Sequence, residues 1–132
     1  MDAVWQKLYN RALSARGYRE LSGFVSAGQV AAALLDNKGD IYTGVCIDTA
    51  SGLGLCAERN ALAAMITKGG NMPRKIVVVM SDGSLGLPCG ACREFIMQLS
   101  KNAGETQFLT HLTGETITLK ELMPHWWGEN RV

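Results

Sequence analysis

The sequence predicts an α/β domain in which five strands form one sheet with helices packed on it. Three observations carry that expectation. Apolar residues recur at helical spacing near the start. An apolar run and an alternating segment flank the turn Asp36-Asn37-Lys38-Gly39-Asp40. Beyond it, stretches of strong helix formers alternate with apolar β-branched runs, the pattern of strands joined through helices. The 132 residues suffice for one domain with a real core and are too few for two, so residues 1–132 are read as a single domain. At 47% apolar and 19% charged, the composition is that of a globular chain rather than a disordered one.

Residues 3–16 read as the first helix, with Val4, Leu8, Ala12 and Ala15 on the apolar stripe and Gly17 as its stop. Residues 18–28 contain Gly23 and Gly28 and read as a loop. Gln29 to Leu35 and Ile41 to Asp48 form a β-hairpin about the 36–40 turn. Thr49 to Leu55, with Gly52 and Gly54, is a loop. Cys56 to Lys68 is a helix closed by Gly69-Gly70. Lys75 to Met80 is a buried strand, Ser81 to Pro88 a loop, and Cys89 to Lys101 a helix. Gln107 to His111 and Thr116 to Leu119 are two strands separated by only four residues. That is too few for a crossover, so they must pair antiparallel.

The formal net charge is +1 and the basic residues are scattered, so no polyanion-binding stripe is present and no nucleic-acid partner is expected. Residues 1–7 lack the basic start and apolar stretch of a secretory leader. No segment approaches the ~20 apolar residues of a membrane span. The expected location is the cytoplasm, where four cysteines serve as ligands, catalytic groups or core residues rather than as disulfides.

The chemistry concentrates at two helix starts, Cys56-Ala57-Glu58-Arg59 and Pro88-Cys89-Gly90-Ala91-Cys92. Each alone is ambiguous. A first-turn glutamate complements the helix dipole, and an isolated Cys-x-x-Cys is a redox pair, half of a structural zinc site, or chance. Cys89 and Cys92 lie on one side of a helical turn and can grip one metal. The positive helix end favours the thiolate form at all three cysteines. If the two helices start side by side, three thiolates converge and leave a fourth zinc position for water. Zinc brings the pKa of such water from ~15.7 towards ~7, and Glu58, two residues from Cys56, is placed to receive its proton. Two rival readings remain. One is a non-catalytic zinc site closed by Cys46, which leaves Glu58 without a purpose. The other is a redox pair at Cys89 and Cys92, which explains neither Cys56 nor Glu58.

With Cys-Ala-Glu-Arg followed by Pro-Cys-Gly-Ala-Cys-Arg, the chain resembles the small zinc-dependent cytidine deaminases. The likeness extends to Gln29-Val30-Ala31-Ala32-Ala33-Leu34 and to Glu121-Leu122-Met123-Pro124. It implies a three-layer fold, with a mixed five-stranded sheet between helices on both faces. It also implies a Zn²⁺ cofactor held by Cys56, Cys89 and Cys92, and pyrimidine salvage as the setting. By that resemblance Glu58 moves a proton from water to ring N3, hydroxide attacks C4, and ammonia leaves. Arg59 matches the arginine that offsets the thiolate charge; the alternative is a surface side chain.

Small-molecule recognition is where the chain departs from the family. The usual Asn-x-Glu that holds the ribose hydroxyls is Cys46-Ile47-Asp48 here. Asp48 can supply the carboxylate, but a thiol is a poor substitute for the amide. Gly28 stands where the family has a phenylalanine beside the base, and the nearest aromatic is Phe24. Ala57 falls among the substrate contacts. These departures point partly towards blasticidin S deaminase, which acts on a modified cytosine nucleoside. In both relatives an aromatic following the Leu-x-Pro segment approaches the active site. Trp126 or Trp127 therefore covers the substrate or, in the alternative, packs a subunit contact or the core. His111 and His125 are read as structural. The resemblance also implies a homotetramer with shared active sites.

Overall fold

The computed structural model describes all residues, Met1 to Val132. Helix α1 spans Ala3–Ala15 and is capped by the Asp2 carboxylate, which accepts from the Trp5 N–H. Its buried stripe is Trp5, Leu8 and Ala12, while Val4 and Ala15 are exposed. The expected stripe is thus one position out at its start, because Trp5 has the larger surface to bury.

The sheet contains β1 (Arg19–Glu20), β2 (Ser26–Asp36), β3 (Ile41–Asp48), β4 (Pro73–Val79), β5 (Leu85–Gly86), β6 (Gln107–Leu109) and β7 (Thr116–Thr118). Its five principal strands run in the order β3-β2-β4-β6-β7. Only β4 and β6 are parallel; β2 pairs antiparallel with both β3 and β4, and β6 with β7. The five expected strands are joined by two-residue ribbons, β1 on β2 and β5 on β4.

β1 lies in the stretch expected as loop. Its turn is closed by Leu21 N–H to Val25 O at 2.8 Å and by the Ser22 hydroxyl, which accepts from Phe24 and Val25 N–H. Gly28 is not a loop residue either. It sits at φ +94° in a register shift of β2, and a Cβ there would lie 1.9 Å from the Gly17 carbonyl oxygen. Only glycine fits both conditions.

α2 (Ala57–Thr67) and α3 (Gly90–Met97) cover one face of the sheet and α1 covers the other. Alternation along the strands separates two cores. Ala31, Ala33, Val77, Val79 and Leu109 meet α1, whereas Ala32, Leu34, Ile76, Val78 and Phe108 meet α2 and α3. This is the expected three-layer arrangement. α3 stops at Met97 rather than continuing to Lys101. Past it Ser100 Oγ accepts from the Asn102 N–H, a local bond that competes with the helix, and a short 3₁₀ turn follows at Ala103–Glu105. A final turn of helix, α4 (Leu119–Leu122), opens on a capping box between Thr118 and Glu121.

Candidate metal and active site

The topology brings the two motifs together. β3 and β4 both run antiparallel to β2, so they point the same way on either side of it. The chain therefore leaves both strands at the same end of the sheet, where α2 and α3 begin. Leu55 and Ile47 exchange backbone hydrogen bonds at 2.9 Å, which holds the chain extended up to Cys56. α2 then lies directly on β3. A Cβ at Gly44 would be 2.4 Å from the Ala61 nitrogen, and Asn60 Nδ2 donates to the Val45 carbonyl at 3.1 Å. On the other side, Arg93 Nε donates to the Pro88 carbonyl at 2.8 Å and fixes the turn before Cys89.

Cys56 and Cys89 occupy the cap positions of α2 and α3, and neither side chain caps its helix. Cys92 is buried in the first turn of α3. The three sulfurs lie within 4.8 Å of one another, with Cys56 to Cys89 and Cys89 to Cys92 both 3.5 Å apart. Arg59 Nη2 donates to Cys56 Sγ at 3.7 Å, and hydrogen bonds to Cys56 and Cys92 raise the guanidinium pKa. Cys46 is outside this cluster. Its sulfur accepts from the Val30 N–H at 3.3 Å and packs against the core beside α2.

The electrostatics suit a cation. Burial raises the Cys92 thiol pKa well above that of a free cysteine, and the Glu58 carboxylate adds to the rise. Burial also pushes Cys89 up, but N–H groups of Cys92 and Ala91 and the two neighbouring thiols outweigh it, and its pKa is lowered overall. Three thiolates this close repel one another unless a cation stands between them. Three converging sulfurs on two helix starts fit zinc, which thiolates bind, and Cys56, Cys89 and Cys92 would hold it.

Glu58 is only 5% exposed, at the second position of α2. Burial raises its carboxyl pKa, opposed by its own backbone N–H, by Cys92 and by Arg59. A carboxyl held this way beside the sulfurs is placed both to take and to give a proton. Ala57, between the ligand and the acid, is fully buried.

The remaining expected residues lie outside the thiol cluster. Asp48 is exposed at the end of β3, and Phe24 is 78% exposed at the tip of the β1–β2 turn. Trp126 is half-buried and Trp127 is 66% exposed; the structure ties both to Glu94 on α3. A cleft of about 640 Å³ lies towards the other end of α3, bordered by Met97, Lys101, Met123 and Trp126 but by none of the cysteines. Asn60, Arg93 and Glu94 were not expected as parts of the site. The arginine and the glutamate directly follow Cys92 in sequence, but nothing in that position announces their partners.

The family model for the cytidine and deoxycytidylate deaminase zinc-binding region matches residues 5–108. The chain is 38% identical over 124 residues to cytidine deaminase of Halalkalibacterium halodurans, covering 90% of each chain. It is 33% identical over 130 residues to cytidine deaminase of Mycobacterium tuberculosis, covering 96% of this chain and 92% of the other. The crystal structure of the M. tuberculosis cytidine deaminase superposes with a TM-score of 0.78 at 30% identity, over 96% of this chain and 99% of that one. That of Mycobacterium leprae cytidine deaminase gives 0.76 at 31%, over 94% and 100%. With its three-layer fold and a thiol triad inside the matched region, the chain belongs to the cytidine and deoxycytidylate deaminase family of zinc-dependent hydrolytic deaminases.

Proposed function

We propose that the chain converts a free cytosine nucleoside, cytidine or deoxycytidine, to the uracil nucleoside with release of ammonia. Cys56, Cys89 and Cys92 hold the metal in this reading. The observation that carries it is a buried carboxyl, Glu58, against a cluster of three cysteine sulfurs within 4.8 Å of one another. When bound, zinc supplies Lewis acidity that makes hydroxide available near neutral pH. Glu58 takes a proton from the attacking water and gives it to ring N3, then takes the remaining hydroxyl proton from the C4 adduct and delivers it to the departing amine. A C4–O bond forms and the C4–N bond breaks. Arg59, hydrogen-bonded to the thiols, offsets their negative charge. Cys46, with its sulfur engaged by Val30 N–H, argues against a closed four-cysteine site.

Asp48 is the carboxylate offered to the sugar, Ala57 and Phe24 are further substrate contacts, and Trp126 or Trp127 covers the substrate. The engagement of Cys46 also supports a second reading, in which the substrate is blasticidin S or another modified aminopyrimidine whose sugar is held differently. We place the reaction in pyrimidine salvage in the cytoplasm, performed by a homotetramer with shared sites. No helix is long and apolar enough to cross a membrane. Ammonia release from cytidine, deoxycytidine, cytosine and blasticidin S by the zinc-loaded chain tests the proposal. The nucleosides should be turned over in preference to the free base. Release from blasticidin S alone would select the second reading, and no release from cytidine or deoxycytidine would defeat the first.

A further inference from the structure

The segment after α4 is a strap held at several points. Glu94 on α3 accepts hydrogen bonds from Trp126 Nε1 at 3.0 and 3.1 Å, from Trp127 Nε1 at 3.0 Å, and from Gln98 Nε2 at 2.7 Å. The two indole rings lie 5.6 Å apart and tilted by 57°. Gly128 lets the chain fold back against Trp126, where a Cβ would lie 2.6 Å from the ring. Beyond it, the Glu129 N–H donates to the Trp126 carbonyl at 3.3 Å and the Glu129 carboxylate pairs with Lys120 of α4, also at 3.3 Å.

One charged acceptor taking two indole donors is a strong and directional arrangement. A half-exposed indole finds water easily, so burial does not force both tryptophans onto the same carboxylate. Glu94 is two residues from Cys92 in the same helix, so the strap is fastened to the element that presents two of the three thiols.

We propose that Glu94 is the positioning residue for this tryptophan pair, and that its clamp sets substrate affinity by fixing the indoles relative to the helix that carries Cys89 and Cys92. The proposal rests on the reading that one of these tryptophans borders the substrate. Glu94 touches no reacting atom; it acts through the two rings.

The test uses the zinc-loaded full-length chain with cytidine as the probe. Glu94→Ala removes the acceptor. Glu94→Gln keeps a carbonyl oxygen at Oε1, the atom that both indoles reach. The alanine variant should raise KM about tenfold with kcat nearly unchanged, the scale of a lost charged hydrogen bond. It should also shift tryptophan emission to the red while zinc content stays at the wild-type level. The glutamine variant keeps the shared acceptor but turns the oxygen facing Gln98 into a donor, so it should recover most of the lost affinity and emission. A red shift with unchanged KM would overturn the proposal, as would loss of zinc or equal behaviour of the two variants. The double variant Trp126→Phe/Trp127→Phe separates the underlying reading from the clamp. If it raises KM where Glu94→Ala does not, the tryptophans border the substrate and Glu94 does not position them. If neither raises KM, both ideas fall.

Discussion

At the scale of single residues, the site divides into what adjacency reveals and what only the fold creates. Cys56, Glu58 and Arg59 are one helical turn, and Cys89 and Cys92 another, so their proximity was legible from spacing. That Arg59 reaches the Cys56 sulfur follows from the same turn. Cys46 was not legible in this way, because its partner is the Val30 N–H on the neighbouring strand, 16 residues away. Cys46→Ala should therefore leave zinc content intact and cost about 1 kcal/mol of stability, the worth of an ordinary hydrogen bond. Loss of metal in that variant would restore the fourth-ligand reading. Glu58→Gln keeps the size and burial of the side chain but cannot carry the proton. It should retain zinc and fold while turnover falls by about 10²–10⁴-fold or more, since a single group serves both transfers. A near-normal rate from this variant would remove Glu58 from the mechanism.

At the scale of elements, periodicity identified the principal helices and strands, and pairing decided the rest. The β2–β3 hairpin was legible because a turn-forming cluster separates two strand-like runs. β1 and β5 were not, since a two-residue ribbon exists only through its partner strand. α4 had a signal, the Thr118-x-x-Glu121 capping box, but it followed a short strand and the strand pattern masked it. The seat of α2 on β3 depends on Gly44, whose role is absent from any local pattern. The nearest atoms to a Cβ there are the backbone of Ala57, Asn60 and Ala61, which cannot rotate away. Gly44→Ala should destabilise the chain by about 1–3 kcal/mol through overpacking. Because α2 carries Cys56, it should also weaken zinc retention. Denaturant unfolding with an unchanged midpoint would show that α2 does not bear on β3 as closely as this.

For the whole molecule, topology explains why the motifs meet. β3 and β4 flank β2 in the same direction, so both helices start at one end of the sheet and bring their first turns side by side. Large apolar side chains remain uncovered, among them Phe24, Leu53 and Trp127 at 66–78% exposure, and they suit contacts between copies of the chain. Sedimentation at micromolar concentration should give about four times the monomer mass, and a monomer that stays fully active on dilution would exclude shared sites. In the proposed site three thiols hold one zinc, and that zinc drives deamination. The most direct measurement titrates zinc into the metal-free chain and follows conversion of cytidine to uridine. Turnover should rise in proportion to added zinc and level off at one ion per chain. Full activity before any zinc is added, or a plateau well away from that ratio, would contradict it.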